Sequence, residues 1–169
     1  PLYGDYSHAW FNVLPPYLNL KPLGDLRKEG RLPRPGERSL WINPAVPASV
    51  AKDFRTDFFC YAVNYYMTDN AAKPVTYVNA GHILFPASTV FMGEKNDNFA
   101  SLSPNHVRSY FGTAVQPTSP DAMSHFVFCD GHVELIPRRR FSPSLGAVTE
   151  ADPPQSGLVN FLPYPGAKH

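Results

Sequence analysis

His132 and Glu134 stand two apart in the run HVELI, and Asp130 precedes them at a turn. Side chains at i and i+2 of a strand project from one face, so an imidazole and a carboxylate at this spacing can share a cation. A closed site takes a third or fourth ligand, for which the sequence offers Asp130 and, further off, His125, Glu94 or Asp97. Asp130, His132 and Glu134 are therefore candidate metal ligands, although a solvated polar strand face explains the pattern with fewer assumptions. The oxygen-rich run 94–98 (EKNDN) is the matching candidate for calcium, through Glu94, Asn96, Asp97 and Asn98. It lacks the regular spacing of a calcium loop, so an ordinary polar turn is expected there and no resident cofactor.

Nucleophilic chemistry has less to work with. There is no G-x-S-x-G elbow and no glycine-rich phosphate loop. A Cys129–His132 thiolate dyad would need a cleft and an oxyanion donor, which the tip of a hairpin rarely supplies. The two cysteines, Cys60 and Cys129, are too few for a disulfide scaffold. They are either buried free thiols acting as small hydrophobes or one disulfide between two strands, and the latter requires an oxidising compartment. No enzymatic activity is expected.

The elements that would position these residues follow from pattern. Aromatics at 14% indicate a globular chain, and 19 prolines favour short strands and loops over long helices. A formal charge of +1 points to neither nucleic acid nor an acidic membrane as partner, and no run is long and apolar enough to span a bilayer. Pro1 suggests a processed or truncated product, any anchor or export signal lying upstream. Trp10, Val13, Leu14, Tyr17 and Leu18 have helical spacing, which Pro15-Pro16 must cut short near Leu14. Residues 21–38, basic and rich in Pro and Gly, read as a surface loop, and 39–43 (SLWIN) as a short strand. Residues 58–67 and 88–93 read as strands, 76–79 as a short strand or turn edge, and 104–110 as a place for a helical turn.

The strongest local signal is HFVFC-DG-HVELI at 125–136, a hairpin with Asp130-Gly131 as a type I′ turn. Pairing outward matches Cys129 with His132, Phe128 with Val133, Val127 with Glu134 and Phe126 with Leu135. Phe126, Phe128, Val133 and Leu135 are then expected in the core, and Val127, Cys129, His132 and Glu134 on the open face. From Pro137 the chain becomes a basic, Pro-rich tail with Arg138-Arg139-Arg140 at its start. Two segments are expected: a globular domain over 1–136 and an extension over 137–169, ordered by lying on its own domain's surface or on a partner's.

The order of these pieces resembles the extracytoplasmic part of bacterial prepilin-like proteins, the group whose C-terminal segment is named for a His-x9-Asp-Gly pattern. WFNVLPPYL resembles the family's aromatic helix, LWINPA its strand ending in Cys-Pro, YAVNYYM its Tyr-Ala-Met-Asn strand, PASTVFMGE its Pro-Ser-x-Thr-Val strand, and HFVFCDGHVEL its terminal hairpin. Together these span about residues 6–136. Pro120 occupies the position of the namesake histidine and Asn43 that of a frequent cysteine, so no role of either carries over. The resemblance implies an α+β, pilin-like fold: a short N-terminal helix on an antiparallel sheet closed by a C-terminal hairpin, with a Pro-rich tail. It also implies a noncatalytic structural subunit, akin to a type IV pilin or type II secretion pseudopilin, assembling with protein subunits in the periplasm or on the cell surface. Trp10, Phe11 and Tyr17 are the expected assembly contacts. An extracytoplasmic glycan- or metal-binding module is the alternative.

Overall fold

The computed structural model describes residues 9–34, 36–44, 59–67, 78–97, 101–102, 122–137, 140, 159–161 and 163. It is a small α+β fold. Two short helices, α1 (Trp10–Val13) and α2 (Leu23–Lys28), precede strands β1 (Phe59–Asn64), β2 (Val90–Asp97), β3 (Ser101–Leu102), β4 (Met123–Phe128) and β5 (Val133–Pro137). The sheet order is β3-β1-β2-β4-β5, in which β1, β2, β4 and β5 are antiparallel neighbours and the two-residue β3 lies parallel to β1. No helix among the described residues is long and apolar enough to cross a membrane.

The N-terminal helix stops where the prolines dictate. Its last turn gives way to a 3-10 turn over Pro15–Leu18, closed by Asn19 in the left-handed region at φ 55°. The helix does not bury its periodic stripe. Phe11 is the buried residue, while Val13, Leu14, Tyr17 and Leu18 face outward. The stretch read as a surface loop contains α2. Asp25 lies in its first turn and Arg27 and Lys28 in its last, each at the helix end that the macrodipole favours. Gly30, at φ 67°, ends it in a Schellman arrangement, with Arg31 N–H on Leu26 O (2.8 Å) and Gly30 N–H on Arg27 O (3.0 Å). Asn12 ties the two helices by accepting from Gly24 N–H at 2.8 Å.

Two further expectations are corrected. The SLWIN segment is a tight turn with an isolated Ser39↔Ile42 bridge, since the Ser39 hydroxyl accepts Trp41 N–H at 3.2 Å and folds the chain back. Glu94 to Asp97 continue β2 instead of forming a polar turn, because β1 pairs with them as far as Phe59↔Asp97. In its described part the tail lies on its own domain, one of the two surfaces expected for it. Asn160 bridges Thr89 in parallel, its N–H donating to Ser88 O and its carbonyl accepting Val90 N–H, both at 2.8 Å. Val159 and Phe161 thereby enter the same core as Ala62, Val90, Phe126, Phe128 and Ile136. Residues 104–110, Thr76, Asn98, Arg138 and Arg139 lie outside the described residues.

This first core is pinned by Asn64, which is wholly buried. Its amide donates to Val90 O and Phe161 O, both at 2.7 Å, and its carbonyl accepts Tyr66 N–H at 3.1 Å. One side chain thus satisfies main-chain groups of β2, the tail and the turn after β1, as buried polar groups require. A second cluster gathers Phe11, Leu23, Trp41, Ile42 and Cys60, with Trp10, Leu26, Leu32 and Tyr61 packed against it.

Candidate functional site

The β4–β5 connection sets which side chains reach the surface. Phe128 O accepts Gly131 N–H and Phe128 N–H donates to His132 O, both at 2.9 Å, so the loop holds three residues, Cys129, Asp130 and Gly131. Of these only Gly131 has positive φ, at 93°. This is a type I turn followed by a glycine bulge, whereas a type I′ turn would need positive φ at two positions. The extra loop residue moves the register by one: Val127 faces Val133, Phe126 faces Glu134 and His125 faces Leu135. Each residue of β5 is therefore reversed relative to the expectation. Ile136 is buried instead of Leu135, and Val133 and Leu135 leave the core at 58% and 47% exposure. Met123, on the same face by alternation, is 43% exposed. This apolar outward face is what pattern reasoning missed; the glycine at the third loop position was the available signal.

The register also separates the proposed ligands. Asp130 accepts the main-chain N–H of His132 at 3.1 Å and lies 2.6 Å from its Nδ1. The hydrogen bond from the imidazole holds the Asp130 carboxyl below its ordinary range. His132 stacks on Phe128, with ring centres 4.5 Å apart and planes within 3°, as their shared face allows. The Glu134 carboxylate is taken by the Arg140 guanidinium at 3.1 Å. Two of the three candidates thus meet and the third is committed elsewhere; no group of three metal-binding side chains occurs among the described residues. Glu94, offered for calcium, is also engaged. Its carboxylate accepts Asn43 Nδ2 at 2.6 Å and His125 N–H at 2.7 Å, with His125 Nδ1 at 3.1 Å, and so links the 39–43 turn to β4.

The cysteines are free thiols. Strand β2 lies between their strands, and they sit near its opposite ends, on the order of 15–20 Å apart at about 3.3 Å per residue, beyond the roughly 7 Å limit for bridging. That geometry corrects the disulfide alternative. Burial pushes Cys60 up to about 11, the Asn43 N–H opposing and Glu94 adding to the shift. Burial, helped by Asp130, pushes Cys129 up to about 11. Cys129 Sγ lies 3.8 Å from Met67 Sδ. Neither thiol is activated toward a thiolate.

Of the expected assembly residues, Phe11 is buried, and Trp10 packs edge-on against it at 5.8 Å and tilted against Trp41 at 6.0 Å. Phe11 is spent inside the domain, whereas Trp10 stays half-buried at its edge. Tyr17, 83% exposed, faces outward most fully of the three. Comparison with protein-family models, curated proteins and solved structures finds no match for the chain.

Proposed function

We propose that this chain is the globular part of a noncatalytic structural subunit, pilin- or pseudopilin-like, which acts by protein–protein assembly outside the cytoplasm. The observation that supports this is the outward face of β4 and β5, where Met123, Val133 and Leu135 lie exposed on one side of the sheet. Apolar side chains gathered on one sheet face mark a contact surface more often than scattered ones do. The motif order set out above supports the pilin-like form of that role. Its partners are other protein subunits.

The test is photo-crosslinking in the cells that make the protein, with a photoreactive phenylalanine derivative placed at position 133 or 135 and, as control, at exposed His82. Discrete protein adducts from 133 and 135 but not from 82 are expected. A well-expressed protein that gives no adduct from either strand position refutes the proposal.

A further inference from the structure

A groove of about 490 Å³ runs between α2 and the 39–41 turn, far in sequence from the β4–β5 face. Its walls include Leu20, Leu26, Leu40 and Trp41. Trp41 is buried, while Leu20 and Leu40 are 42% and 52% exposed. Three cations, Lys21, Arg31 and Arg38, line the same groove. Glu29 binds Lys21 at 2.5 Å and Arg31 at 3.4 Å, so one carboxylate stands against three cations. Arg38 makes no ion pair among the described residues.

The imbalance extends beyond the groove. Residues 21–38 hold six basic and three acidic side chains, and the remainder of the chain holds nine and eleven, so this segment carries the entire positive excess. A cationic rim over leucines complements a ligand that presents carboxylates beside an apolar side chain. Single-stranded nucleic acid fits poorly, since it needs exposed aromatic faces for stacking and the groove's aromatic ring is buried.

We propose that this groove docks an acidic, leucine-bearing segment of a partner protein, its carboxylates on Arg38 and Arg31 and its apolar side chain between Leu20 and Leu40. This rests on the structural-subunit reading and supplies the chemistry of one partner contact. The test uses two fluorescent peptides of equal length, alternating Glu and Leu or alternating Lys and Leu, together with anionic phosphatidylglycerol vesicles. Saturable binding of the Glu/Leu peptide alone is expected, weakening with salt. Arg38→Glu, at an exposed side chain without an ion-pair partner among the described residues, should weaken it roughly tenfold or more, and Leu40→Ser should weaken it at unchanged salt dependence. Equal binding of both peptides, binding to vesicles in place of peptide, or an unaltered Arg38→Glu variant overturns the proposal. Absence of peptide binding while positions 133 and 135 still cross-link overturns the groove alone and leaves the structural-subunit reading intact.

Discussion

Replacing Asn64 by alanine should be among the most damaging single substitutions in the domain. The carboxamide is fully buried and satisfies three main-chain groups, Val90 O, Phe161 O and Tyr66 N–H. Each such group left without a partner in the core costs about 1–3 kcal/mol, and the lost side-chain volume adds to that. A loss of about 3–5 kcal/mol is expected, a large share of the roughly 5–15 kcal/mol that keeps a domain folded. Urea unfolding followed by fluorescence reads it as a fall in midpoint at constant slope. The isosteric Asn64→Asp separates hydrogen bonding from volume. Its carboxyl would face two carbonyl oxygens in a buried site, which raises its folded-state pKa above the unfolded value of ~3.9. A raised folded pKa gives stability that is greatest below the unfolded value and is lost as pH rises through the folded one. The aspartate variant should therefore be nearest to wild type in acid and weakest at neutral pH. A loss below about 1 kcal/mol in the alanine variant, or a deficit in the aspartate variant that ignores pH, would refute the assignment of Asn64 as the hydrogen-bonding pin of this core.

Gly93→Ala would place a methyl carbon 2.7 Å from the Phe126 ring and 2.8 Å from Leu102 Cδ2, and should cost about 1–3 kcal/mol, read as a lower thermal midpoint. An unchanged midpoint would mean that these neighbours relax freely. Both thiols, pushed up to about 11 by burial, are about one-thousandth ionised near pH ~8, so iodoacetamide should label the folded protein slowly and the unfolded protein fully. A Cys60–Cys129 linked peptide in a non-reducing digest would overturn the sheet order. Asp130 has a lowered folded pKa, so its contribution is present above the unfolded value of ~3.9 and is lost as pH falls through the folded one. Asp130→Asn should flatten the acid limb of a melting-temperature profile; an unaltered limb counts against the His132 contact.

Local chemistry made several elements legible in the sequence. The helix over Trp10–Val13 gives way at Pro15 because proline cannot continue it, and β1 carries the strand-favouring Phe59, Tyr61 and Val63. A turn at Asp130-Gly131 was equally legible, since glycine there supplies the positive φ that the chain needs. What local pattern left open was the number of loop residues, and that one residue decides the face of everything after it. Ile136 and Leu135 are adjacent and equally apolar, so only packing against Ser124 and the buried phenylalanines selects Ile136 for the core. The fate of the tail was hidden for a similar reason. Composition marked 137–169 as an extension, whereas residues 159–161 complete the core through hydrogen bonds to Asn64, Ser88 and Val90, residues up to 97 positions away in the chain. The separation of Cys60 from Cys129 likewise depends on β2 lying between their strands. Sequence alone determined the proline-limited first helix, the strand around Phe59–Asn64 and the turn at Asp130-Gly131, because these follow from the torsional and steric limits of individual residues. Register, sheet order and the tail's insertion were decided only in the tertiary structure, because they depend on which distant groups satisfy one another once water is excluded.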